Sequence, residues 1–286
     1  MKQGVFLGLV TLDLIYQTPT SLAGNEKRQA EGMVLAAGGP ATNAAIAFQG
    51  LGSQANLYGA MGCHPLSSMI HDDLGRHGVS WVDLTPEDPM PPPVSSIITA
   101  TATGDRAVIA RNTVGRQVPS PMNWETTLRN ADILLIDGHQ MMLGSEAADQ
   151  ARAQAIPVVI DAGCWKPGFE SVLLLAMVVI ASQQFRPPGC ETVEAAMAYL
   201  VKLGVPYIAV TQGAGPILYC TSDQRGTLSV PDVQAVDTLG AGDIFHGAFC
   251  HYYPEHDFLD ALAKAAAVAS LACESIGTRA WLSRLR

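Results

Sequence analysis

The stretch from Ala235 to Phe249, Ala-Val-Asp-Thr-Leu-Gly-Ala-Gly-Asp-Ile-Phe-His-Gly-Ala-Phe, constrains this chain more than any other. Its short apolar start ends at Val236, and Gly240, Ala241 and Gly242 then let the backbone turn tightly. From Asp243 the apolar residues Ile244, Phe245, Ala248 and Phe249 follow helical spacing. A glycine-rich loop therefore opens a helix with a carboxylate in its first turn. The first N–H groups of a helix have no intrahelical partner, and the macrodipole adds partial positive charge there. Small residues let a phosphate approach those groups, so Gly240–Ala241–Gly242 reads as an anion hole. Asp243 has two readings. It is an acidic residue that favours a helix start, or a general base that takes a hydroxyl proton while the N–H groups stabilise a transferring phosphoryl group. Two familiar phosphate motifs are excluded. Ala248–Phe249 stand where a Walker A loop has Lys-Ser/Thr, and Phe245 occupies the third glycine of G-x-G-x-x-G.

The rest of the chain suits one large α/β domain. Its 286 residues, 48 % of them hydrophobic, suffice for a substantial core. The formal charge of −9, without a Lys/Arg cluster, argues against a nucleic-acid partner. An anionic ligand must then be held locally, by backbone N–H groups and a metal ion. The six cysteines (63, 164, 190, 220, 250 and 273) form no C-x-x-C pair and no zinc spacing, so they read as reduced thiols of a cytoplasmic protein. Asp13 interrupts the apolar run Val5–Leu12, which is no secretory signal, and Val172–Ala181 is too short to span a membrane.

In chain order, Val5–Leu12 reads as a buried strand ending at Asp13, and Gly38–Gly39 as a turn into a helix. Leu57–Met61 is a short strand and Met69–His77 a short helix. Four prolines between Pro89 and Pro93 mark a boundary. After it, period-2 alternation over residues 98–103, a turn at Gly104–Asp105 and Arg106–Arg111 predict a hairpin apart from the main core. Continuous apolar runs at Ile133–Ile136, Val158–Ile160, Val178–Ala181 and Tyr207–Val210 suit parallel strands covered on both faces. Helices are expected at Ala195–Leu203 and Ala261–Ser275, and a closing hairpin at Ile217–Cys220 and Thr227–Val230. Ligands of such a sheet bind at the C-terminal strand ends.

The run Asp237-Thr-Leu-Gly-Ala-Gly-Asp243-x-Phe245 resembles the C-terminal signature of the ribokinase/PfkB carbohydrate kinases. Gly8–Leu9–Val10–Thr11–Leu12–Asp13 and the wording of the signature resemble the ketohexokinase/fructokinase-like branch most. The resemblance implies a ribokinase-like α/β fold: a mostly parallel sheet with helices on both faces, and a small β lid from about residues 10–35 and 94–114. It implies ATP-dependent phosphotransfer to a hydroxyl of a small sugar, with Mg²⁺, Asp243 as base and Gly240, Ala241 and Gly242 as anion hole. Asp13, Gly38, Gly39 and Asn43 would hold the sugar, with Gly38–Gly39 as a hinge for the lid. Arg111 either touches the substrate or is a solvated edge charge. After the strand at Ile133–Ile136, His139 or Gln140 either contacts the sugar or only turns the loop.

On the nucleotide side the resemblance assigns Ser182 and the loop Thr211, Gly213 and Gly215, with Lys264 and Gly277 beside the adenine. Asp237 and Thr238 would adjoin a monovalent-cation (K⁺) loop, and the lid sheets of two copies would pair into a homodimer. Two departures stand out. Ser182–Gln183–Gln184–Phe185 replaces Asn-x-x-Glu, whose Glu organises magnesium in relatives, and Cys63, His64 and Ser67 replace a carboxylate loop. His246 reads as support for Asp243 and not as a second base. The alternatives are a nucleoside kinase of the same fold, or a relative that binds sugar or nucleotide without transfer.

Overall fold

The computed structural model describes residues 1–22, 24–102, 106–111, 117–119 and 122–285. The N-terminal half contains β1 (Gln3–Leu7), β2 (Thr11–Thr18), β3 (Gly32–Gly38), α1 (Pro40–Gly50), β4 (Gln54–Gly59), α2 (Ser67–Arg76), β5 (Ser80–Asp83), β6 (Val94–Ala100) and β7 (Arg106–Arg111). There follow α3 (Trp124–Leu128), β8 (Ile133–Ile136), α4 (Met141–Ala153), β9 (Val158–Ala162), α5 (Phe169–Leu173), β10 (Val178–Ser182), α6 (Val193–Lys202) and β11 (Tyr207–Gln212). The chain closes with β12 (Gly215–Cys220), β13 (Arg225–Leu228), α7 (Ala241–Tyr252) and α8 (Phe258–Cys273).

A nine-stranded sheet runs β13-β12-β11-β10-β9-β8-β1-β4-β5. It is parallel from β5 to β11 and antiparallel at β12 and β13. Successive side chains of β1 face opposite sides, as the pleat requires. Phe6 joins α1, α7 and α8 on one face, whereas Val5 and Leu7 join α3 to α6 on the other. From β1 the chain proceeds outward to β4 and β5, then returns to β8 on the far side of β1. Strand order reverses there, and at such a switch point the strand ends leave a crevice. No described helix is long and apolar enough to cross a membrane.

A second, four-stranded sheet has the order β3-β2-β6-β7. It contains the expected hairpin strands, but β6 also pairs in parallel with β2, so the hairpin does not stand alone. The turn at Gly104–Asp105 lies outside the described residues. The apolar run Val5–Leu12 divides between the two sheets: β1 stops at Leu7 and β2 starts at Thr11. Between them the Leu9 N–H leaves the ladder and donates to Asp137 Oδ2 at 2.8 Å. Asp13 is therefore the third residue of β2 and does not end a strand. Periodicity does not reveal this break, because apolar residues serve both sheets.

Other elements were not legible in the pattern. The helix α4 buries Gly144, Ala147, Ala148 and Ala151, residues too small to give a strong apolar stripe. Strand β5 is largely exposed and β3 is half-exposed along its length.

Helices α1 and α7 cross closely at Gly247. A Cβ there would lie 2.2 Å from the Ala44 carbonyl oxygen and 2.8 Å from the Ala47 Cβ. Residues four apart share a helix face, so this contact fixes where Asp243 of α7 and Asn43 of α1 meet, one turn away.

Candidate active site

At the start of α7, Gly240 is the N-cap, in the left-handed region at φ 69°, and no side chain caps the helix. The Ala241 N–H donates to the Thr238 carbonyl at 3.3 Å. Gly242 and Asp243 therefore carry the open N–H groups, and Ala241 contributes its small size only. Asn43 Nδ2 donates to Asp243 Oδ2 at 2.8 Å. Burial raises the pKa of Asp243, the charge of Asp161 raises it further, and it reaches about 7. The Asn43 hydrogen bond and His246 oppose the rise without cancelling it. A carboxylate poised near neutrality beside unpaired helix N–H groups has the properties of a general base at an anion site.

Asp161, at the C-terminal end of β9, has no counterpart in the sequence reading. It is buried, and burial raises its pKa. His246 Nδ1 stands 3.6 Å from its Oδ2 and 2.7 Å from the Gly242 carbonyl, while Nε2 lies 3.2 Å from the Ile180 carbonyl. His246 thus joins α7 to β9 and β10 beneath the anion site. No spacing in the sequence pairs it with Asp161, 85 positions away.

Asp13 reaches the same crevice from β2. Its Oδ1 accepts from Thr11 Oγ1 at 2.6 Å, and burial raises its pKa although Thr11, Ser95 and Arg279 oppose this. Gly38 pairs with Thr11 in the β2–β3 ladder, diagonal to Asp13, and a Cβ there would fall 1.9 Å from Asp13 Oδ2. Gly39 is the N-cap of α1. Asp13, Gly38, Gly39 and Asn43 therefore come together, and Asn43 links them to Asp243.

Asp137 holds this corner from β8. Its Oδ2 accepts the N–H groups of Leu9 and Ala41 at 2.8 and 3.1 Å, and its Oδ1 those of His139. Burial alone would raise its pKa, but His139 and these donors together hold it below the usual value. His139 is thereby tied to Asp137. Gln140 is buried, and its Oε1 accepts the Val118 N–H at 3.0 Å, so its carbonyl is committed to the fold. Arg111 is exposed at the end of β7, and the structure does not bring it into this network.

Ser182 and Thr211 lie paired near the ends of neighbouring parallel strands, with Gly213 in the turn that follows and Gly215 opening β12. Ser182 Oγ donates to the Gly163 carbonyl at 2.8 Å and accepts from Gln184 N at 3.0 Å. Phe185 is buried against Trp165 and Phe169, with ring centroids 5.6 and 5.5 Å away, so it packs the core. In the loop that carries Cys63, His64 and Ser67, Ser67 Oγ donates to the Met61 carbonyl at 2.8 Å and His64 Nδ1 accepts the Leu66 N–H at 3.1 Å. Lys264 does not reach the anion site. It pairs with Asp260 at 3.9 Å and lies 5.6 Å from the Tyr252 ring centroid, at the far end of α7. Nine helical residues, about 13 Å, separate Tyr252 from Asp243.

Gly277 donates its N–H to Asp237 Oδ2, and Leu239 its N–H to Oδ1, both at 2.9 Å. Asp237 therefore ties the loop before α7 to the segment after α8. Thr238 Oγ1 accepts from Arg106 of β7 at 2.9 Å. Arg279, also absent from the sequence reading, donates to Asn43 Oδ1 at 2.9 Å and pairs with Asp73 at 3.2 Å.

A family model described as pfkB family carbohydrate kinase matches residues 1–284. The chain belongs to this family. The kinase is 39 % identical to a deoxyribokinase of Salmonella typhi over 90 residues, 31 % of this chain and 29 % of that protein. That match spans less than a third of the deoxyribokinase. A ribokinase of Bacillus subtilis is 22 % identical over 289 residues, covering 98 % of this chain and 95 % of that protein. Among solved structures, one from Agrobacterium tumefaciens described as a candidate ribokinase superposes with a TM-score of 0.87, at 25 % identity over 98 % of this chain and 94 % of that one. Arabidopsis thaliana ribokinase complexed with ribose and ATP gives a TM-score of 0.77, at 22 % identity over 100 % of this chain and 98 % of that one. The fold is therefore ribokinase-like. The family model establishes the family, and relatives named ribokinase and deoxyribokinase do not single out the ketohexokinase/fructokinase-like branch.

Proposed function

We propose that this chain transfers the γ-phosphoryl group of ATP to a hydroxyl of a small sugar. The observation that carries this reading is the Asn43-to-Asp243 hydrogen bond at a helix start with open N–H groups. Asp13 and the backbone at Gly38–Gly39 orient the acceptor, since a carboxylate accepts from two neighbouring hydroxyls and glycine admits close approach. Asp243 takes the proton of the reacting hydroxyl. The hydroxyl oxygen bonds to the γ-phosphorus as the bond to the bridging oxygen breaks, and ADP leaves. The N–H groups of Gly242 and Asp243 face the charge that builds on the phosphoryl oxygens. Ser182, Thr211, Gly213 and Gly215, at the strand ends beyond, form the nucleotide side.

Magnesium, when bound, neutralises phosphate charge. The described residues contain no group of three or more His, Cys, Asp or Glu that would cage a metal, which fits an ion held through nucleotide oxygens and water. Asp237 is buried, its two oxygens each accept a backbone N–H, and it has no ion-pair partner among the described residues. That uncompensated charge fits a monovalent cation at the loop. The four-stranded sheet is assigned as a lid that excludes water from the reaction. It also carries exposed Met33 and Leu35 on β3 and Ile109 on β7, which the strand register puts on one face, suited to the same sheet of a second copy.

The test is ATP consumption measured against a panel of ketoses, aldoses and nucleosides. Turnover with a sugar, lost in Asp243→Asn while ATP binding persists, is expected. A sugar that stabilises the protein without any turnover would leave a binding protein, and preference for nucleosides would make it a nucleoside kinase.

A further inference from the structure

We propose that Arg279 is a positioning residue for Asp243, acting through the side-chain amide of Asn43 and held in place by Asp73. The inference rests on the phosphotransfer reading only in treating Asp243 as the base. Arg279 follows α8, and its side chain is 14 % exposed. Its Nη1 donates to Asn43 Oδ1 at 2.9 Å and to Thr278 Oγ1 at 2.8 Å. Its Nη2 donates to the Ala37 carbonyl and, at 3.2 Å, to Asp73 Oδ2, which also accepts from Nε at 3.3 Å.

A guanidinium offers donors only, and an amide has one donating and one accepting end. Asn43 must therefore turn its oxygen to Arg279, which leaves its NH₂ for Asp243 Oδ2. The reversed amide would set NH₂ against guanidinium and carbonyl against carboxylate. Arg279 thus decides which end of Asn43 meets the base, and one carboxylate oxygen is held while the other remains for the proton. The same ion pair grips the hinge. Asp73 Oδ2 accepts the Ala37 N–H at 2.9 Å while Arg279 takes the Ala37 carbonyl, so both polar groups of the residue before Gly38–Gly39 are bound.

Charge acts in the same sense. Asp161 and Asp13 face Asp243 as anions, His246 and Arg279 as its basic neighbours, and Asn43 as a neutral donor. Removing Arg279 deletes a cation and frees the Asn43 amide, so Asp243 should keep its proton to higher pH. A merely structural ion pair would lower stability and leave that titration alone.

The experiment compares the wild type with Arg279→Gln, Arg279→Lys and Arg284→Gln, which removes only the outlying pair with Glu274. The Asp243 carboxyl is followed by ¹³C NMR titration and the Asn43 amide by its ¹⁵N–¹H pair, neither of which needs a substrate. In Arg279→Gln the Asp243 midpoint should rise by roughly half a pH unit and the Asn43 pair should shift. With an active sugar, kcat should fall about tenfold or more while KM for ATP stays within about twofold, and the acid limb of the rate profile should move up. Arg284→Gln should match the wild type throughout. An unmoved titration and unmoved Asn43 amide in Arg279→Gln overturn the inference, whatever happens to Tm. Should that variant not fold, Arg279→Lys decides, because an ammonium cannot serve Asn43 and Asp73 together. An unmoved Asn43 amide and Asp243 titration there are equally fatal. If the wild type phosphorylates nothing, the kinase reading fails while the NMR arm still decides the role of Arg279.

Discussion

Replacing Asp243 by Asn should remove activity and, at the same time, make the protein more stable above neutral pH. Folding raises the pKa of Asp243 from 3.8 to about 7, by burial first and by the charge of Asp161 second. The native state therefore binds this proton more tightly than the unfolded chain. Its contribution is whole below about pH 3.8 and is lost as pH climbs through about 7. Each tenfold in proton affinity is worth about 1.4 kcal/mol, so a carboxylate wholly cut off from water would forfeit ~4 kcal/mol over that range. Asp243 is only half-buried, and solvent screening brings the expected figure to ~2 kcal/mol. Asparagine has no proton to lose, and its carbonyl still accepts from Asn43. In urea unfolding at pH 5 and pH 8, the stability of Asp243→Asn relative to the wild type should increase by roughly 1–2 kcal/mol at the higher pH. Asp161 and Asp13 are present in both proteins, and in the variant each is relieved of a like charge, which adds to the effect. Turnover should fall by about 10²–10⁴-fold in the same variant. A difference independent of pH would refute the buried-base account, even if activity were lost.

Three further outcomes follow from the geometry. In Gly38→Ala the new methyl would fall 1.9 Å from Asp13 Oδ2, so Asp13 must swing away. Calorimetry should show sugar affinity down by about tenfold or more with ATP affinity unchanged, and intact sugar binding would contradict the assigned role of Asp13. Gly247→Ala puts a methyl 2.2 Å from the Ala44 carbonyl at the α1–α7 crossing, and urea unfolding should register a loss of about 1–3 kcal/mol. Ile109 is 74 % exposed on β7, and Ile109→Lys should shift a concentration-dependent dimer towards monomer in sedimentation. A wild type that stays monomeric at all concentrations would remove the proposed pairing of lids.

Much of the fold was legible because its parallel strands are buried on both faces. Ile133–Ile136 is an unbroken apolar run and forms a strand with those bounds. Val178–Ala181 lies within a strand that extends one residue further, to Ser182. Strands that feed the second sheet were harder to see, since Val5–Leu12 serves two sheets and β3 is half-exposed. The surroundings of Lys264 were not legible either: on α8 it pairs with Asp260 and lies near the Tyr252 ring of α7, a contact that sequence spacing does not express.

Local chemistry belongs to the sequence alone. Gly240, Ala241 and Gly242 at a helix start, with Asp243 in its first turn, mark open N–H groups beside a carboxylate from the local pattern alone. What that carboxylate can do was decided by tertiary structure. Asn43 lies 200 positions from Asp243, and Arg279 lies 236 positions from Asn43. Only the close crossing at Gly247 brings them together, and only burial among Asp161, Asp13 and His246 moves the proton affinity of Asp243 into the neutral range. Desolvation and long-range charge depend on what surrounds a group in space, and no local pattern along the chain encodes that.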